Sequence, residues 1–414
     1  ALDRALDSIL CSIQESFREF IEYLRLPTTV MFIGGAILPL VIIIMLPLIS
    51  FIGTDIGTPL NIALLMLIML TIIFLFSEYT LRKRPVAFPI INIPDFHPSL
   101  PRKGKMIIFG KEVSIIGISL WTSFLIISFS IPYLLGLHNK IVDKLNTLPI
   151  VIGISLGICI YLRGMSNQKK ILRDFIKKTE KEMLEATFQL GNRLMSGMSA
   201  EEAMIHIAKM LQNHRSGASK IFKKAIKNIR YLNTNLEDAF FDKKMGALKD
   251  SYSSLINSIF RIFITSMKMS INSASESLIT SANHIRAIQG VESNMKNKIA
   301  YTSSMMKITA MIICPAICAL SIYIARVFQK TAYITNSISD SFQLALIKPP
   351  STSPEILQLI LGIYMIALLF ILIRYTSILE NGDDTVIVQY EVSRAIPVAL
   401  FIFLAVIFLS SIFI

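Results

Sequence analysis

Charge is scarce in this 414-residue chain: Asp, Glu, Lys and Arg make up 17% of it, where water-soluble domains carry about a quarter. Tryptophan occurs once, cysteine four times and histidine five times. Cys11, Cys159, Cys314 and Cys318 show no paired spacing, which excludes a disulfide-stapled scaffold; the last three fall in apolar stretches and read as small hydrophobes. No G-x-x-x-x-G-K-[ST] phosphate cradle and no H-E-x-x-H zinc motif occurs. Glu202 and His206 stand one helical turn apart, but no second histidine or cysteine cluster joins them, so no metal site is expected. S-x-x-K occurs three times without the companion motifs of an acylating serine enzyme. No catalytic residue, cofactor or metal is expected, and enzyme activity is not.

What is abundant is apolar: 53% of the residues are hydrophobic and the mean hydropathy is +0.61, the composition of a multi-spanning membrane protein. A helix crosses the hydrocarbon core with about 20 apolar residues. Seven stretches approach or exceed that length, at residues 29–52, 60–77, 113–135, 148–162, 305–325, 356–373 and 395–414. Prolines at 39, 47, 132, 315 and 397 interrupt them and predict kinks. Gly153 and Gly157, one turn apart, offer a small face where a neighbouring helix can pack, within the chain in preference to a second copy. The apolar cores hold essentially no ionisable group, and Lys307 is expected to snorkel from the mouth of the fifth span to the headgroups.

The charge is concentrated. Residues 163–298 carry 23 Lys/Arg against 12 Asp/Glu, so a net +11 of the chain's +13 lies in that one insert. The loop at 78–112 adds seven basic residues, including Arg82, Lys83, Arg84, Arg102, Lys103 and Lys105. By the positive-inside tendency both segments face the cytoplasm, and the two spans between them place them on one side. The expected layout is therefore all-α: about seven membrane helices, four within 27–162 and three within 301–414. A cytoplasmic bundle of about six helices is inserted at 163–300.

Within the insert, helical periodicity runs to Met195, Gly197 supplies a helix stop, and Ser199 with Glu202 forms an S-x-x-E capping box. After a loop at 214–219 comes a strongly basic helix with Lys220, Lys223, Lys224, Lys227 and Arg230, and the pair Lys243, Lys244 follows. Thr234 and Glu237 repeat the cap pattern, and two long helices, at 246–269 and 273–300, close the domain. Residues next to the spans suit anionic lipid; the 220–230 cluster and Lys243, Lys244 are far from them in sequence and suit a protein partner as well. No aromatic platform for stacking bases accompanies them, so nucleic acid is not expected.

The chain opens at Ala1 inside a helical pattern, and residues 1–26 read as the end of a truncated first cytoplasmic domain. They feed a span broken at Pro39 as the helix through Ile299 feeds one broken at Pro315, an internal repeat.

Phe188 to Met210, FQLGNRLMSGMSAEEAMIHIAKM, resembles the first helix hairpin of the F-type inner-membrane platform proteins of type II secretion systems and type IV pili, in their archaeal form. Gly197 stands at the turn, Glu202 and Ala203 open the second helix, and the long helix pair leads into a span at Cys314-Pro315. The resemblance covers residues 163 to about 373, and extends to the N-terminal segment with the first span. It implies a non-enzymatic scaffold, compatible with a homodimer, that contacts a hexameric assembly ATPase and prepilin-like subunits. On that resemblance Lys220, Lys223, Lys224, Lys227, Arg230, Lys243 and Lys244 are the candidate ATPase-facing residues. A polytopic transporter with a cytoplasmic regulatory domain is the competing reading.

Overall fold

The structure is a computed structural model that describes residues 12, 15–16, 19, 22–23, 26–51, 58–82, 104–108, 111–130, 147–211, 217–249, 251, 253–339 and 352–412. The expected first-domain remnant at 1–26, the loop residues Lys83, Arg84, Arg102 and Lys103, and Pro132 lie largely or wholly outside these. Contacts divide the chain into a unit built on Gln168–Lys296 and another on Glu19–Phe88, Pro98–Asn167 and Asn297–Ile414.

The first unit is a helical bundle. It contains the C-terminal part of α4 (Leu148–Met195), then α5 (Ala200–Met210), α6 (Gly217–Leu232), α7 (Leu236–Phe241), α8 (Ser254–Met267) and most of α9 (Ile271–Ile308). Helix α4 persists for 48 residues because no glycine or proline acts as a breaker until Gly197. At φ +85° Gly197 turns the chain, and the amides of Gly197 and Met198 donate to the carbonyls of Leu194 and Arg193. Ser199 then caps α5 by accepting from the Glu202 amide at 3.3 Å.

The core is aromatic. Phe222, Phe240, Phe260 and Phe263 are fully buried; the Phe240 and Phe260 rings stack with centroids 4.5 Å apart, and Phe222 meets Phe260 edge-on at 5.7 Å. Each such burial contributes roughly 1.5–3 kcal/mol. Helices α4 and α9 run antiparallel, tied by Ser275 to Gly191 at one level and Arg286 to Glu185 at another.

Three expectations for this unit need correction. The helix expected at 246–269 starts only at Ser254. Gly246 instead packs against the backbone of residues 240–242, where a Cβ would fall 2.5 Å from the Asp242 carbonyl, and Ser253 caps α8 through the Ile256 amide. Thr234 does not cap α7; Asn235 holds that position without a side-chain bond, and Glu237 is drawn off to Lys268 at 2.6 Å. Helix α6 begins at Gly217, so Ser219 lies in it and is buried.

The second unit is apolar. It contains a π-helical turn (Met31–Ile37) leading into α1 (Leu38–Phe51), α2 (Pro59–Arg82), α3 (Ile115–Ser128) and the first part of α4. The end of α9 follows, then a second π turn (Thr309–Ile313), α10 (Cys314–Ser339), α11 (Pro354–Asn381) and α12 (Thr385–Ile412). Both π turns stop two residues before a proline, Pro39 and Pro315, whose missing amide removes a rung of the ordinary ladder. Among the described residues six helices are long and apolar enough to cross a membrane. The expected span at 113–135 is represented by the 14-residue α3; residues 131–135 lie outside the description.

The basic loop is not wholly irregular. Lys105–Ile108 and Lys111–Ser114 pair as an antiparallel hairpin, the only strands among the described residues. Ile107, Ile108 and Val113 favour strand, and Lys105 reaches Glu112 at 3.4 Å. Ser114 then caps α3 by accepting from the Gly117 amide.

Candidate partner-binding face

Helix α6 sets the geometry of the basic face. Ala218, Phe222 and Ala225 point into the core, which turns the opposite stripe to solvent. Lys220, Lys223 and Lys227, spaced three and four apart, are exposed and lie along that stripe. Lys224 is half-buried at its edge. Arg230 is also exposed, but its Nε donates to Glu201 at 2.6 Å, fastening α6 to the start of α5.

Asn228 is the residue the sequence reading passed over. It is buried, and its Nδ2 donates to the carbonyls of Ala239 at 3.0 Å and Met245 at 2.8 Å. Those two bonds hold the turn after α7 against α6, and Lys243 and Lys244 on that turn are exposed. An asparagine on the apolar side of a basic amphipathic helix was the available signal, because a polar group buried there must find partners. The exposed charge here is basic: three lysines along one helix, two on the tethered turn, and Lys249, its ammonium directed at the Lys244 carbonyl at 3.5 Å.

Beside Arg230 an open groove of about 400 Å³ is lined by Ser199, Glu201, Glu202, Ile205, His206, Lys209 and Arg230. Glu202 and His206 both line it, and among the described residues no group of three His, Cys, Asp or Glu side chains is placed to hold a metal ion.

The remaining sequence candidates lie in the apolar unit and are packing positions. Gly153 and Gly157 seat α3: a Cβ on Gly157 would meet the Ser123 hydroxyl at 1.9 Å, and one on Gly153 would meet Ile127 at 2.6 Å. Ser123 donates to the Gly153 carbonyl at 3.0 Å across this contact. Pro315 follows the second π turn at the head of α10, with Cys314 and Cys318 free and fully buried.

Lys307 has partners that its local sequence does not indicate. Its ammonium sits between two carboxylates, Glu380 at 2.7 Å and Glu391 at 3.1 Å, and Ser303 donates to Glu380 at 2.5 Å. The two acidic side chains arrive from α11 and α12, and a part-buried cation is stabilised by such direct pairing.

A helical protein with, among the described residues, six helices of membrane-spanning length, together with a helical bundle that carries a lysine-rich helix, is the class that these elements define. Comparison with family models, with curated proteins and with solved structures finds no match.

Proposed function

We propose that this protein is a non-enzymatic membrane platform of an archaeal type IV pilus, archaellum or type II secretion-like machine. In this reading the bundle faces the cytoplasm and binds a hexameric assembly ATPase, and the apolar unit inserts or extracts prepilin-like subunits. The observation that carries it is the ordered lysine stripe of α6, Lys220, Lys223 and Lys227, with Lys243 and Lys244 exposed on a turn that Asn228 fixes to the same helix. A fixed array of like charges suits an acidic protein surface, and it speeds and orients docking more than it adds affinity. The chain resemblance in residues 188–210 supplies the kind of partner.

The test is co-purification of the full-length protein with a hexameric secretion ATPase, comparing the parent with Lys223→Glu, Lys227→Glu and Lys243→Glu combined. Binding weakened by about tenfold or more, with membrane insertion unchanged, is the expected result. Undiminished binding removes the assignment.

The transporter reading draws on Glu78, Arg374, Lys307, Glu380 and Glu391, ionisable groups carried by the long helices of the apolar unit. They pair in two sets, Glu78 with Arg374 and Lys307 with Glu380 and Glu391, the arrangement of clamps between helices. Solute uptake by proteoliposomes would favour transport.

A further inference from the structure

The internal repeat extends well beyond the two proline-broken helices. Near the end of α2 the chain reads Phe74-Leu75-Phe76-Ser77-Glu78-Tyr79-Thr80, and near the end of α11 it reads Phe370-Ile371-Leu372-Ile373-Arg374-Tyr375-Thr376. Both helices open on a proline, Pro59 and Pro354. Thr80 and Thr376 are both buried, and each hydroxyl donates to the carbonyl four residues back, Phe76 and Leu372. Each of these helices is preceded in the chain by a helix with a π turn two residues before a proline. Two helical hairpins of one design are thus present.

Counterparts pack on counterparts. Helix α1 lies against α10, where the Ser321 hydroxyl donates to the Ile43 carbonyl at 2.7 Å, and α2 lies against α11. In the matched heptapeptides the position of opposite charge is 78/374, and those two side chains are each other's partners in a part-buried ion pair. Arg374 also stands over the Phe74 ring at 5.7 Å, so its plane is held from a second side.

We propose that the apolar unit is a fused pair of homologous hairpins, and that Glu78 and Arg374 are the residues that make the first hairpin take the second as its partner in preference to a copy of itself. Two first hairpins docked in this geometry would set Glu78 against Glu78, and two second hairpins would set Arg374 against Arg374. Like charges at a part-buried contact reject the wrong pairing while the opposite pair accepts the right one. Duplicated segments in one chain otherwise invite exchange between chains, because the contacts offered by a neighbour are the same. This inference is independent of what the bundle binds.

The test is a charge-exchange cycle in the full-length protein extracted in mild detergent, read by melting temperature and by oligomeric state. Glu78→Arg alone and Arg374→Glu alone are each expected to lower the melting temperature and to populate higher oligomers. The combined exchange is expected to recover about half or more of the lost stability and the parent's elution. If a single variant fails to accumulate, recovery of yield in the double exchange is the readout. A double exchange no better than the worse single, or singles equal to the parent, would overturn the proposal. Destabilised singles that keep the parent's oligomeric state would overturn the partner-selecting role.

Discussion

The Ser275 hydroxyl donates to the Gly191 carbonyl at 2.6 Å, joining α4 to α9 where Gly191 presents no Cβ to the facing helix. A Cβ on Gly191 would lie 2.7 Å from Ile279 Cγ1 and 3.1 Å from the Ser275 carbonyl. Gly191→Ala should therefore destabilise the bundle by about 1–3 kcal/mol despite the better helix propensity of alanine. Chemical denaturation of the purified protein, followed by helical circular dichroism, checks this; a gain in stability would show that the helices have room to part.

Two hydroxyls at cap-like positions should behave differently. Ser199→Ala removes the bond to the Glu202 amide and should cost about 1 kcal/mol. The Thr234 hydroxyl is buried with no bonding partner, so Thr234→Val should be neutral or slightly stabilising. The same denaturation curves separate the two, and equal losses would contradict the geometry.

Lys307→Met would leave Glu380 and Glu391 without their common cation in a part-buried setting. A loss of roughly 1–3 kcal/mol is expected. Adding Glu380→Gln and Glu391→Gln to the same chain should recover part of it, since the penalty comes from uncompensated charge more than from the missing bond. Thermal melts of the single and triple variants in detergent make the comparison.

The hydrogen bond from Lys268 holds the Glu237 carboxyl below its ordinary value of 4.5. A depressed carboxylate stabilises the fold fully above its unfolded pKa, and that contribution is lost as pH falls through the folded value. The pair is exposed, so solvent screening keeps the effect small. Glu237→Gln should flatten the acid side of the stability profile below about pH 4.5 and make the remainder less dependent on salt. An unchanged acid limb would mean that the pair adds nothing in solution.

Much of the bundle is readable along the chain because its signals are local. A glycine that can take positive φ at 197, a serine three residues before a glutamate at 199, and a repeat of apolar positions in α6 each act within one or two turns. The boundary of α8 is not set by periodicity: close packing of Gly246 on the 240–242 backbone is a contact that periodicity does not encode. The cap of α7 failed for a related reason, since Glu237 is claimed by Lys268, a partner 31 residues away.

By itself the sequence determined that this is a helical protein with long apolar helices and one strongly basic segment, because hydrophobic run length and helical periodicity are properties of neighbouring residues. Tertiary structure alone decided which charges meet. Asn228 pins the turn that carries Lys243 and Lys244 to α6, two carboxylates claim Lys307, and Glu78 finds Arg374 nearly three hundred residues on. Such pairings depend on which helices lie side by side, and in a half-buried setting the stabilisation of an ion by its partner is large enough to override what each residue would do alone.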